Sequence, residues 1–175
     1  TDNRKTLSYP AIRSFIKIEL CRLILEKFEN IDAIAGVATG AIAQGALIAE
    51  QLGLPYVYVR SAPKDHGLEN LIEGNLIPGQ RVVVIEDLIS TGGSSLKAVE
   101  AIRNVGCEVV GMAAIFSYRF PVAEERFKAA NVDVVTLSNY EAVLEAALKT
   151  GYITEEDLET LKEWRKDPAS WNVNK

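Results

Sequence analysis

The sequence holds one histidine, His66, and two cysteines, Cys21 and Cys107, among 175 residues. A classical zinc site needs more Cys and His ligands than that, and two separated cysteines make no disulfide framework. Both lie in apolar patterns, so the expectation is a pair of buried free thiols in a reducing cytoplasm. No apolar run approaches the ~20 residues that cross a bilayer, and no membrane association is expected. Positive charge is also scarce: 19 Lys and Arg stand against 24 Asp and Glu, a net charge of -5. Sequence-independent nucleic-acid binding needs a basic footprint, so no nucleic-acid partner is expected. There is no Gly-x-Gly-x-x-Gly fingerprint, and the glycine-rich turn described below carries no Lys. A dinucleotide site and a Walker A loop are therefore excluded. No internal repeat, low-complexity tract or linker interrupts the chain, which reads as one domain over 1–175.

Hydrophobic residues make up 48% and charged residues 25% of the chain, the balance of a soluble globular protein. Ser8 to Glu26 reads as a helix, with Ile12, Phe15, Ile16, Leu20, Leu23 and Ile24 at helical spacing. A short apolar segment, Ile31 to Ala35, ends at Gly36. Ala41 to Gln51 is an alanine-rich helix closed by Gly53, and Tyr56 to Val59 is a strand. The stretch 60–78 has no sustained period and reads as a long mobile loop; such loops are often functional. Val82 to Ile85 is a continuous apolar run, as in a strand covered on both faces. Beyond it, Gly92 to Val105 is a helix, Glu108 to Phe116 a strand, Pro121 to Ala130 a helix, Val132 to Leu137 a strand and Tyr140 to Lys149 a helix. Thr154 caps a last helix. Alternating strands and helices predict an open parallel sheet of about five strands with helices on both faces.

In such a sheet, ligands sit outside the carboxyl ends of the strands. The residues there are Gly36, Thr39 and Gly40 after the first strand, and Arg60 and Lys64 after the second. Glu86, Asp87, Ser90, Thr91, Gly92 and Gly93 follow the third; Tyr118 and Arg119 follow the fourth. Glycines, hydroxyls and cations together suit an anionic ligand, and the adjacent acids suit sugar hydroxyls or a metal. Ser90 to Ser95 lies where a helix begins, so free backbone N–H groups and the helix dipole favour a phosphate there. Gly92 and Gly93 allow close approach. Thr91, Ser94 and Ser95 add hydroxyl donors.

Two acids after a run of branched apolar residues, then Ser90-Thr91-Gly92-Gly93-Ser94, resemble the phosphoribosyl diphosphate (PRPP) motif of type I phosphoribosyltransferases. The resemblance implies their α/β fold with a small N-terminal cap, partly missing here because the family normally has a helix and strand ahead of the position of Thr1. It implies that Glu86 and Asp87 face the ribose hydroxyls and that Ser90 to Ser94 hold the 5-phosphate. Other segments are similar to family members that act on orotate. Arg60 to Gly67 resembles their catalytic loop, with Lys64-Asp65-His66-Gly67 intact; Gly36 to Gly40 resembles the diphosphate loop. Arg119 stands where those members bind orotate, and Thr1 to Arg4 resembles a segment that helps cover it.

The implied activity is transfer of phosphoribose from PRPP to orotate, giving orotidine 5'-phosphate and diphosphate in pyrimidine synthesis. Lys64, His66 and Asp87 would be catalytic. Arg60, Thr39 and Glu86 would join Lys64, His66, Asp87 and the Ser90–Ser94 loop in binding PRPP. Thr91, Arg119 and Arg4 would hold orotate. Mg²⁺ carried by PRPP, near Glu86 and Asp87, would be the cofactor. A homodimer with shared active sites would be the assembly. Transfer to a purine or to uracil, or PRPP sensing without catalysis, are the alternatives. Two positions depart from the pattern: Ser61-Ala62-Pro63 lacks a Lys common in the loop, and Gly40 stands where some members have Lys.

Overall fold

The computed structural model describes residues 2–62, 71–168 and 171. They divide into two compact units, Thr1–Leu137 and Ser138–Lys175. The first opens with a 3-10 helix, Asn3–Ser8, that sequence patterning did not reveal. Then come α1 (Pro10–Lys27), β1 (Ala33–Val37), α2 (Ile42–Leu52), β2 (Tyr56–Val59) and β3 (Ile72–Glu73). These are followed by β4 (Arg81–Ile89), α3 (Gly93–Asn104), β5 (Glu108–Ser117), α4 (Pro121–Ala129) and β6 (Val134–Asn139). The second unit holds α5 (Tyr140–Lys149) and α6 (Glu155–Lys166). Thr154 and Asp157 form a reciprocal capping box on α6, as the expected cap at Thr154 requires. Among the described residues, no helix is long and apolar enough to cross a membrane.

The sheet order is β3-β2-β1-β4-β5-β6. β1 pairs in parallel with β2 and with β4, and β4 in parallel with β5. The open, helix-flanked parallel sheet is therefore as expected, with a sixth strand. That strand is β3, which runs antiparallel to β2 at the edge inside the stretch taken as loop. Two residues are too few to carry a periodic signal.

β4 explains the core. Val82, Val83, Val84 and Ile85 are all fully buried, and covering each side chain is worth about 1.5–3 kcal/mol. Successive strand residues point to opposite faces. Val82 and Val84 join a cluster with Val99 and Ile102 of α3 and Phe127 of α4. Val83 and Ile85 join another with Leu20 and Ile24 of α1 and Ile48 of α2. On α1, Ile12 and Phe15 share the helical spacing yet are exposed, at 47% and 64%; the packed face runs through Ile16, Leu20, Cys21 and Ile24 instead. Both cysteines are free and buried.

From β1 the chain moves outward to β2 and β3, then crosses to the other side of β1 as β4. The strand order reverses between β1 and β4. A crevice outside the carboxyl ends of those two strands is the expected ligand position in such a fold.

Candidate active site

A cavity of about 350 Å³ lies at that reversal, lined by Asp2, Asn3, Arg4, Thr39, Gly40, Glu86, Asp87 and Leu88. Thr39 and Gly40 follow β1, and the acids belong to β4, which extends past the apolar run through Ile89. Asn3 and Arg4 come from the N-terminal 3-10 helix, and Asn3 Nδ2 donates to the Asp87 carbonyl at 3.0 Å. The structure thus brings five of the expected site residues, Arg4, Thr39, Gly40, Glu86 and Asp87, to one cavity.

The two acids differ in environment. Glu86 is buried, and its Oε2 accepts from the Ser95 hydroxyl at 2.7 Å. Its Oε1 accepts from the Asp87 N–H at 2.9 Å. Burial pushes the Glu86 carboxyl up to about 7; the charge of Asp87 adds to this and the hydrogen bonds oppose it. Asp87 is half-buried. Burial raises its pKa too, while Asn3 and the Arg4 charge pull it back. Ser95 is buried and spends its hydroxyl on Glu86, so it is not the phosphate donor that its place in the turn suggested.

Gly40 has a local reason. A Cβ there would stand 2.8 Å from the Asp87 Cβ and 2.5 Å from its Oδ2. A side chain at that position would displace the carboxylate, which accounts for glycine there.

The turn between β4 and α3 leaves helix N–H groups without a side-chain cap. Gly92 is the N-cap of α3, in the left-handed conformation at φ 78°, with no side-chain capping bond. The first N–H groups of the helix therefore lack a side-chain partner. A Cβ on Gly92 would meet the Phe127 ring at 3.0 Å, so glycine is required by conformation and by space. Thr91 and Ser94 are exposed, and Ser90 and Gly93 partly so. From α4, Arg126 Nη1 donates to the Thr91 carbonyl at 3.0 Å.

Arg60 and Arg119 do not line the cavity of the acids. Arg60 follows β2 and pairs with Glu73 of β3 at 3.5 Å; its Nη1 is buried without a hydrogen-bond partner. Arg119 has φ 51°, and its N–H donates to Ser117 Oγ at 3.0 Å. It lines a second cavity of about 540 Å³ with Ile89, Ser117, Glu124 and Lys128. Tyr118 stacks on Phe120 at 5.3 Å and meets the edge of Phe116 at 5.0 Å. Lys64 and His66 lie outside the described residues.

The sequence matches the phosphoribosyl transferase domain family over residues 13–150. It is 72% identical to an orotate phosphoribosyltransferase of Bacteroides thetaiotaomicron over 99% of this chain and 82% of that protein. The chain belongs to the orotate phosphoribosyltransferase family. Its fold resembles the crystal structure of orotate phosphoribosyltransferase from Aeropyrum pernix, with a TM-score of 0.77 and 29% identity, over 87% of this chain and 84% of that one. It also resembles Leishmania donovani UMP synthase, with a TM-score of 0.80 and 26% identity, over 94% of this chain and 35% of that one. Asp2 and Asn3 line the acids' cavity beside Arg4, in the N-terminal segment already singled out, while the contact of Arg126 with Thr91 was not foreseen. No local pattern marks the contacts of Asn3 with Asp87 and of Arg126 with Thr91, because the partners lie 84 and 35 residues apart.

Proposed function

We propose that the protein transfers the 5-phosphoribosyl group of PRPP to orotate, yielding orotidine 5'-phosphate and diphosphate for pyrimidine synthesis. One observation carries this reading: the Glu86-Asp87 pair lines the cavity at the strand-order reversal, and Glu86 is bonded to Ser95 in the uncapped first turn of α3. A sugar ring with its 5-phosphate in the β4–α3 turn has its hydroxyls beside Asp87. Thr91, Gly92, Gly93 and Ser94 bind the phosphate through N–H and hydroxyl groups. Glu86, its oxygens engaged by Ser95 and the Asp87 N–H, holds the end of β4 in register with α3. The Thr39–Gly40 loop and Arg60 receive the diphosphate, and Lys64 and His66 add cations for it. Arg119 and Arg4 supply cations for the orotate carboxylate, a group that guanidinium recognises in bidentate fashion.

Bond breaking at C1 leaves positive charge on the ribose and negative charge on the departing diphosphate. The cations stabilise the latter, and an orotate ring nitrogen attacks C1 from the opposite side, its N–H proton leaving to the departing diphosphate or to water. No covalent nucleophile takes part. Among the described residues, no three His, Cys, Asp or Glu converge on an ion. Asp87, a partly accessible hard oxygen donor, suits Mg²⁺, which takes one or two carboxylates and completes its shell with substrate phosphates and water. When bound with PRPP, Mg²⁺ supplies charge that offsets the leaving group.

A homodimer belongs to the same reading. Ile12, Phe15, Ile18 and Leu25 on α1 are exposed at 47%, 64%, 55% and 64%, more apolar surface than one helix of a monomer usually presents. The buried free thiols suit the reducing cytoplasm. The test follows orotate absorbance with PRPP and Mg²⁺, with adenine, hypoxanthine and uracil in parallel. Loss of orotate alone supports the assignment. Consumption of another base keeps the PRPP site and overturns the base, and binding of PRPP with no turnover points to a sensor.

A further inference from the structure

We propose that Arg126 binds the 5-phosphate of PRPP, bracing the β4–α3 turn through the Thr91 carbonyl and presenting its remaining donors to the anion. The proposal rests on the reading of Ser90 to Ser94 as the phosphate loop. That loop contains no Lys or Arg. A phosphate monoester carries about 1.5 to 2 negative charges at neutral pH, and a helix N-terminus offers only about half a positive charge. The structure supplies the missing cation from α4. Arg126 Nη1 lies 3.0 Å from the Thr91 carbonyl, and 3.9 Å from the point where a Cβ on Gly93 would stand.

The guanidinium has five donors in a rigid fork. Thr91 accepts from one nitrogen, and no other hydrogen bond or ion pair engages the group among the described residues. The guanidinium thus lies within contact distance of the turn at Gly93 as well as at Thr91. The next residue, Phe127, is buried with its ring against Gly92. Two consecutive residues of α4 thus fix its position against the turn, one by packing and one by a hydrogen bond. Arg126 is exposed, so its charge is available to a ligand and its replacement leaves the core intact.

Isothermal calorimetry on the wild type, Arg126→Gln and Arg126→Lys, with ribose 5-phosphate and inorganic diphosphate as separate probes, decides the matter. Arg126→Gln is expected to bind ribose 5-phosphate about tenfold more weakly, as for loss of a charge-assisted contact, with diphosphate within about twofold of wild type. Arg126→Lys is expected to recover part of the loss, because it keeps the charge but not the fork. Unchanged ribose 5-phosphate affinity in Arg126→Gln, or an equal weakening of both probes, overturns the proposal; the latter marks a general field effect. Binding of ribose 5-phosphate by a wild type that fails to turn over orotate would refute the function reading, while the comparison among variants still judges Arg126. Absence of ribose 5-phosphate binding by the wild type overturns the phosphate loop and this proposal together.

Discussion

Glu86→Gln should make the protein more stable, and increasingly so as pH rises. The wild-type carboxyl is held at about 7 by burial, against 4.5 for a solvated glutamate. The folded state therefore holds this proton more tightly than the unfolded chain does. Its stabilising effect is complete below pH 4.5, and is lost as pH climbs toward 7. At about 1.4 kcal/mol per pKa unit, the difference between pH 4.5 and 8 comes to roughly 3 kcal/mol. Glutamine removes the titration and keeps the local bonds: its Oε1 accepts from the Asp87 N–H, and its Nε2 donates to Ser95 Oγ, which now acts as acceptor. Thermal unfolding of both proteins at pH 5 and pH 8 reads this out. About 2.5 kcal/mol of that difference falls between pH 5 and pH 8, so the variant's advantage in Tm should widen by roughly 5–10 °C, at about 2–4 °C per kcal/mol for a chain of this size. A Tm difference that stays constant with pH refutes the argument, because it means that Glu86 does not titrate differently on folding.

Gly40→Ala brings a methyl to within 2.8 Å of the Asp87 Cβ and should lower kcat/KM for PRPP by about tenfold or more through displacement of the carboxylate; unchanged steady-state kinetics count against the contact. Phe15→Asp places a charge on an exposed apolar row and should weaken self-association by about thirtyfold or more, seen as monomer in sedimentation velocity; an unaltered sedimentation coefficient removes α1 from the interface. Lys64→Ala should reduce turnover about a hundredfold, as for loss of a transition-state cation, with little change in PRPP affinity by calorimetry; wild-type turnover dismisses Lys64 as a catalytic group.

Much of this architecture is legible in the amino-acid order because its strands are buried on both faces. A run such as Val82 to Ile85 has few alternatives to a central parallel strand, and the helices between strands carry their own period. Elements without a period escape: β3 has two residues, and Asn3–Ser8 is a 3-10 helix with no buried residue. β4 is longer than its apolar run suggests, because Glu86, Leu88 and Ile89 continue the strand pairing with β5. The turn from Ser90 to Ser94 is contiguous in sequence and is readable for that reason. Asn3 on Asp87 and Arg126 on Thr91 bridge 84 and 35 residues, and no local pattern announces such pairs. The orientation of Ser95 follows from its place in the first turn of α3, which points it back toward Glu86 rather than outward with Ser94.

The most direct test of the central claim is the stoichiometry of the products. Orotate, PRPP and Mg²⁺ are incubated with the protein, and orotidine 5'-phosphate and diphosphate are quantified from the same samples over time. Equal amounts, rising together and only when orotate is present, are predicted. Diphosphate released without orotidine 5'-phosphate, or neither product under conditions where PRPP binds, would contradict the account.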